Sequence, residues 1–495
     1  MPIDLKRCPV GIPGVDEILK GGLLEGRSYL LAGSAGTGKT IFSLQWLIHE
    51  RDRGRRTLFI TLAEPRGDVS DNIQGFGWNL EGVEVADLTP ARLGEGSWDE
   101  EYHIFPPEEV ESLPYWRKVC EAIEQHRPER MVLDSLTQLR FVSPDDFQFR
   151  QKIMLLVATL SQRQCTGLLL YEPLEMVKDS SVALAVDGIF RLRKEISQAR
   201  VVGLRDFQVE KMRGSDFLYG MHPLKIDGHG VHVFPHFIEK TGNSTNPGET
   251  LIHSGLPELD EMLGGGIENG TTTLITGPSG VGKSTLSSVF IRTSVVERKE
   301  RGVYYSFEES RNSLVARCRG LGIPIDDLLD NQSLKFMRIN PMELYPDQFL
   351  HQVRRDVEQE GRTHVVIDSI RGYQLAMEEF GKPVAHLHNL TTYLNRHGVT
   401  TYLTIESETI TGTMRASELV MSHLADNILV MRYADYTGQV IKVLGCLKKR
   451  IGYFAPELRE FILKPAPEGV KVGPVLTGLR GILAGIPHSE IVPSE

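Results

Sequence analysis

The sequence predicts an α/β chain of two tandem domains, each a mainly parallel central sheet with flanking helices. Three observations carry that prediction. The chain repeats itself once. Each half alternates short apolar strands with amphipathic helices. Each half also opens with a glycine-rich loop set between a strand and a helix.

The repeat is read by setting residues 11–40, GIPGVDEILKGGLLEGRSYLLAGSAGTGKT, against residues 255–284, GLPELDEMLGGGIENGTTTLITGPSGVGKS. They align without a gap, and thirteen of thirty positions are identical. ITLAEP (60–65) then matches YSFEES (305–310), MVLDSL (131–136) matches VVIDSI (365–370), and KMR (211–213) matches KKR (448–450). Solenoid repeats have periods of roughly 20–50 residues, so a unit this much longer is a duplicated domain. Lys240–Thr250, KTGNSTNPGET, has linker composition. The expected organisation is an N-terminal domain over 1–240, a linker over 241–250, a C-terminal domain over 251–487 and a short tail over 488–495.

The strands expected in the first half are Tyr29–Ala32, Thr57–Thr61, Arg130–Asp134 and Thr166–Tyr171, with helices over Lys39–Arg51 and Phe149–Arg163. The second half repeats this with strands at Thr273–Thr276, Val303–Ser306, His364–Asp368 and Val399–Ile405. Short apolar strands separated by helices indicate parallel β-α-β units.

Bulk properties bound the function. At ~100–200 residues per domain, 495 residues hold two large domains or three small ones. Composition is that of a globular enzyme, 41% hydrophobic and 24% charged. The formal net charge of −10 gives no basic footprint for a nucleic-acid partner. The five cysteines are dispersed, with no CxxC pair, and read as reduced intracellular thiols. The N-terminus has no signal-peptide apolar region. Apolar stretches such as Met154–Leu160 fall short of the ~20 residues that span a bilayer. A soluble cytoplasmic protein with no membrane partner is expected.

The chemistry lies in the two loops. Gly33-Ser34-Ala35-Gly36-Thr37-Gly38-Lys39-Thr40 and Gly277-Pro278-Ser279-Gly280-Val281-Gly282-Lys283-Ser284 both fit GxxxxGK[ST] in the strand–loop–helix context that the motif requires. Glycines let backbone N–H groups wrap phosphates, and the helix N-terminus adds open donors and a favourable dipole. Lys39 and Lys283 supply charge to the β/γ-phosphates. Thr40 and Ser284 are Mg²⁺ ligand candidates, so ATP and Mg²⁺ are the expected cofactors.

Asp134 and Asp368 end apolar strands, where a carboxylate holds Mg²⁺ or its waters; the alternative is an aspartate that caps the next turn. Glu308 and Glu309 follow a strand, where a carboxylate can orient and deprotonate a nucleophile. The matching residues in the first half are Ala63 and Glu64, so one carboxylate is missing there. The alternative for each glutamate is a favourable contact with a helix dipole. Lys211 with Arg213, and Lys448 with Arg450, follow late apolar strands. They are either arginine-finger-type groups that reach a neighbouring subunit's γ-phosphate or surface charge.

Together these residues resemble the KaiC family, RecA-like bacterial and archaeal ATPases that include the cyanobacterial clock protein. The resemblance runs from Gly11 to about Pro487. Its specific carriers are the GIPGVDEILKGG/GLPELDEMLGGG lead-ins, GFGWNL (75–80), the FEES and VIDS segments, KMRGS, LREFIL (458–463) and GILAGIP (481–487). It implies tandem RecA-like P-loop domains in a homohexamer of two stacked rings, with ATP at subunit interfaces. It further implies hydrolysis in the N-terminal ring and autokinase and autophosphatase activity in the C-terminal ring, serving bacterial or archaeal timing or stress signalling.

Three departures accompany the resemblance. The first of two adjacent family glutamates is Ala63 here, leaving Glu64. The family's Ser-Thr phosphoacceptor pair aligns with Ser422 and His423, so only the serine is kept. The family's KaiA-recruiting tail is reduced to residues 488–495, which argues against KaiA-type activation, while a KaiB-like partner stays open. Two other readings remain at this point: a RecA-like DNA-handling ATPase, and an ATP-gated signalling scaffold without kinase activity.

Overall fold

The computed structural model describes residues 5–89, 112–143, 145–172, 180–196, 203–236, 250–377, 383–407, 423–436, 438–477, 479–480 and 488–489. The chain divides into two compact units, Met1–His236 and Phe237–Glu495. Linker residues 241–249, Ser422, GILAGIP (481–487) and tail residues 490–495 lie outside the described residues.

The first unit is built on β1 (Ser28–Ala32), β2 (Thr57–Thr61), β3 (Glu84–Asp87), β4 (Arg130–Asp134), β5 (Thr166–Tyr171), β6 (Gly188–Ile196), β7 (Gly203–Met212), β8 (Met221–Asp227) and β9 (Gly230–Val233). In the second unit the sheet strands are β10 (Thr272–Gly277), β11 (Arg301–Ser306), β12 (Leu334–Arg338), β13 (Arg362–Asp368), β14 (Thr400–Glu406), β15 (Asn427–Tyr436), β16 (Gln439–Lys449), β17 (Leu458–Leu463) and β18 (Val470–Val475).

The spatial order is β3-β2-β4-β5-β1-β6-β7-β8-β9 in one unit and β12-β11-β13-β14-β10-β15-β16-β17-β18 in the other. Adding nine to each strand number converts the first into the second, so one topology is built twice. Six strands in each sheet are parallel, and the last three are added antiparallel. This is the tandem, mainly parallel α/β architecture expected of RecA-like domains.

The parallel strands are apolar throughout because both faces of the sheet are covered. Side chains alternate across a strand, so Tyr29 and Leu31 pack with Phe42, Trp46 and Leu47 of α1 (Lys39–Asp52). Leu30 and Ala32 face the opposite way. There they join Val119 and Ile123 of α3 (Ser112–His126) and Ile153 and Leu160 of α4 (Asp146–Gln162). The short α2 (Arg66–Gln74) follows β2. Helix α4 starts three residues earlier than its apolar pattern suggests, because the Asp145 side chain caps it by accepting the Gln148 N–H at 2.8 Å. In the second unit α5 (Lys283–Glu297) and α6 (Arg311–Gly320) cover one face, and α7 (Pro346–Glu358) and α8 (Pro383–Arg396) cover the other. No helix among the described residues is long and apolar enough to cross a membrane.

One buried charge cluster ties the first unit together. Arg130, at the start of β4, donates to Glu50 at 2.6 Å and to Glu25 at 2.7 Å, and the Arg130 and Glu50 side chains are only 3% and 1% exposed. Removing one partner of a buried pair strands the other charge and costs about 3–5 kcal/mol. Arg130→Ala should therefore lower the stability of this unit by about that amount. All four tryptophans fall within residues 1–236, so tryptophan fluorescence during urea unfolding reads this unit alone. An unchanged midpoint would mean that Arg53, 3.4 Å from Glu50 Oε1, is enough to neutralise it.

Candidate nucleotide sites

Each glycine-rich loop leaves the C-terminal end of its unit's central strand, β1 or β10, and runs into the first turn of α1 or α5. In open α/β sheets ligands bind outside these strand ends. The residues before the helices, Gly38 and Gly282, hold φ of 102° and 118°, a left-handed conformation open to glycine and strained for other residues. Gly33 and Gly277 are needed for a different reason. A Cβ on either would lie 2.7 or 2.5 Å from the carbonyl oxygen of Leu192 or Met431 on the adjacent strand.

In the first unit the Lys39 Nζ donates to the Gly33 and Ser34 carbonyls at 2.8 and 3.0 Å. Burial lowers its pKa, opposed by the charges of Glu172 and Asp134. Thr40 Oγ1 donates to Asp134 Oδ2 at 2.8 Å. Burial raises the Asp134 pKa; the Thr40 bond and Lys39 oppose the rise, and the charge of Glu64 adds to it. The Ala35 N–H of the glycine-rich loop donates to Glu172 Oε1 at 2.7 Å. Glu64 is exposed and accepts from Asn72 Nδ2 at 3.1 Å, and Ala63 beside it has no polar side chain.

In the second unit the loop borders a cavity of about 410 Å³, lined by Lys283, Ser284, Glu308, Glu309, Asp368 and Glu406 among others. That volume lies within the ~300–1,000 Å³ range of small-molecule sites. Lys283 Nζ donates to the Pro278 carbonyl at 2.8 Å. Burial lowers its pKa, countered by Glu406, Asp368 and Glu308. Asp368 is held from both sides: Tyr304 donates to Oδ2 at 2.6 Å and Thr404 to Oδ1 at 2.5 Å. The aligned residues in the first unit are Phe59 and Leu170, which have no hydroxyl. Among the described residues Asp134 accordingly has Thr40 as its side-chain donor.

The two candidate glutamates differ. Glu308 is exposed toward the cavity and accepts from Ser369 Oγ at 2.8 Å, leaving one oxygen open to an incoming group. Glu309 has both oxygens engaged, by Arg317 at 3.0 and 3.3 Å and by Ser313 at 3.0 Å.

The Lys/Arg pairs stand away from their own loops. Arg213 N–H bonds the Asp187 carbonyl and Asp187 N–H bonds Ser28, at the start of β1. Arg450 is tied through Asp426 to Thr272, at the start of β10. At ~3.3 Å per residue, a five-residue strand separates them from the phosphate loop by roughly 17 Å. Lys211 Nζ donates to the Ala183 and Val186 carbonyls, Lys448 Nζ to Ala425, Arg213 to Leu184, and Arg450 to the Asp426 carboxylate. Burial lowers the pKa of both lysines, and the neighbouring Arg213 or Arg450 adds to this.

Several residues of these sites were not anticipated. Glu172 and Glu406 occupy aligned positions after β5 and β14, a signal available from the repeat. Tyr433 and Lys442 reach the second loop from β15 and β16 by donating to the Ser279 and Gly280 carbonyls at 3.2 and 3.0 Å. No short motif marks either residue.

A family model described as the KaiC ATPase matches residues 8–237 and 252–476. The chain is 28% identical to the circadian clock oscillator protein KaiC of Parasynechococcus marenigrum, over 98% of this chain and 94% of that protein. It is 27% identical to the protein of that name from Synechococcus elongatus, over 96% and 91%. With the KaiC of Parathermosynechococcus lividus it shares 25%, over 96% and 87%. The match covers both copies of the sheet and both phosphate loops, and the chain is a member of the KaiC family of ATPases.

Proposed function

We propose that the protein is a Mg²⁺-dependent ATP-hydrolysing homohexamer whose C-terminal unit carries most of the turnover and phosphorylates its own Ser422. This reading serves an ATP-driven timing or stress-signalling role. The observation that carries it is that Lys283, Ser284, Asp368 and Glu308 line one common cavity, with Glu308 held by Ser369 and one oxygen open.

ATP phosphates are received by the loop N–H groups and by Lys283 in this site, and by Lys39 in the N-terminal one. A hydroxyl beside a carboxylate is a donor set that suits a hard cation; Thr40 with Asp134, and Ser284 with Asp368, supply it. Mg²⁺ held by these residues would neutralise the charge that develops on the phosphate oxygens during transfer. Glu308 takes the proton from the attacking water as its oxygen bonds to the γ-phosphorus. The bond to the bridging oxygen breaks, and ADP and phosphate leave. With Ser422 of an adjacent subunit as nucleophile, the same proton transfer leaves phosphoserine and ADP. Lys448 and Arg450 stand far from their own loop, which supports a role at a neighbour's γ-phosphate; Lys211 and Arg213 have the matching place in the first ring.

Incubation with γ-labelled ATP and Mg²⁺ tests this reading, following released phosphate and, by mass spectrometry, the chain itself. The expected result is phosphate on Ser422 that is absent in Glu308→Gln. An unmodified chain that still releases phosphate would leave an ATPase without kinase activity. Size-exclusion with light scattering should give a hexamer in ATP and smaller species without nucleotide; a monomer in both would remove the trans-acting role of the Lys/Arg pairs.

A further inference from the structure

Arg317 lies in the second turn of α6, and its guanidinium joins three separate segments. It pairs with Glu309 through Nη2 at 3.0 Å and Nε at 3.3 Å, in the loop that follows β11. Through Nη1 it donates to Thr285 Oγ1 at 3.1 Å, and through Nη2 it reaches Ser288 Oγ at 3.5 Å, both in the first turns of α5. Thr285 immediately follows Ser284. Glu309 is further fixed by Ser313, and its backbone N–H bonds Ser306 Oγ at 2.9 Å. The pair is mostly enclosed, with 24% and 19% of the two side chains exposed. Two-point, charge-assisted contacts of this kind restrict geometry more than single neutral bonds do.

The first unit provides an internal comparison. At the positions of Glu308, Arg317, Thr285 and Ser313 it has Ala63, Asn72, Ile41 and Asp68. Glu64 there has a single bond from Asn72, and Ile41 has no side-chain acceptor for a link to the phosphate-loop helix. The clamp is thus present in the half that has Glu308 and missing from the half that lacks its counterpart.

We infer that Arg317 is a positioning residue for ATP hydrolysis in the C-terminal unit: by joining Glu309 to Thr285 it fixes the loop bearing Glu308 at a set distance from the phosphate-loop helix. The inference rests on the reading of Glu308 as the proton acceptor. A misplacement of about 1 Å in such a group costs up to ~10²-fold in rate.

The test is steady-state ATP turnover of the full chain with Mg²⁺. Arg317→Gln should lower kcat by about 10–100-fold while KM for ATP changes little, and Arg317→Lys should fall between it and the parent. Thr285→Val, which removes the shorter of the two ties to α5 and leaves the Ser288 contact and the Glu309 pair, should lower kcat less than Arg317→Gln, again without raising KM; it serves if Arg317→Gln does not fold. Glu308→Gln/Arg317→Gln should be no slower than Glu308→Gln alone, because a positioning residue has nothing left to position. Full additivity in that double variant overturns the inference. So does a rise in KM at unchanged kcat, or parental kcat in both Arg317→Lys and Thr285→Val. If Glu308→Gln itself keeps parental turnover, the reading of Glu308 fails and the inference falls with it, a result distinct from additivity.

Discussion

Replacing Glu308 with glutamine should lower ATP turnover by the C-terminal unit by ~10²–10⁴-fold, the usual cost of losing a positioned general base. Glutamine keeps the shape and can still accept from Ser369, but it cannot take the proton. Glu64→Gln should have a far smaller effect. Glu64 is the counterpart of the clamped Glu309, it is exposed, and its bonded partner is Asn72. The position equivalent to Glu308 is Ala63. Phosphate release at saturating Mg-ATP ranks the two variants. If Glu64→Gln proves the slower, the N-terminal unit dominates turnover and Ala63 is no handicap.

Lys283→Ala should remove nucleotide from the C-terminal site and nearly all turnover, since a charge aimed at the transferring phosphoryl group is worth ~10²–10³-fold or more. Lys39→Ala should remove nucleotide from the N-terminal site while most turnover survives. Bound nucleotide per chain after rapid desalting should fall by about half in each variant, as expected for two independent phosphate loops. Unchanged stoichiometry in Lys39→Ala would mean that the N-terminal loop does not hold nucleotide. Equal loss of turnover in both variants would argue that the two sites act as one.

The parallel core and the strand–loop–helix setting of both glycine-rich loops were legible in the sequence because their signals are local. A strand buried on both faces is a continuous apolar run, and the loop demands glycine and lysine at fixed spacing. The antiparallel edge was less legible. In β7, GLRDFQVEKM, partly exposed and buried residues mix, which blurs the two-residue period on which strand reading depends. The start of α4 at Asp146 was set by a side-chain cap on Asp145, not by apolar periodicity. The candidate site divided the same way. Lys283, Ser284, Asp368 and Glu308 could be named from their motifs. Arg317 could not, because its contacts join segments 8 and 32 residues away and nothing in RNSLVARCRG sets it apart from a solvent-facing helical arginine. Glu308 and Glu309 are adjacent in sequence, and only their partners, Ser369 for one and Arg317 with Ser313 for the other, separate them.

The Glu172 carboxylate on the Ala35 N–H gives the N-terminal loop a resident anion. An anion binding at that N–H would have to displace the carboxylate and would not simply fill an open donor. Its affinity is then a difference between two negative ligands for the same amide, and the displaced carboxylate must find new solvation or a new donor. Selectivity follows from such an exchange, since a weakly bound monoanion pays the same displacement as a nucleotide but recovers less. A triphosphate, with more oxygens to spread over the loop and with Lys39 to meet them, would offset the exchange best.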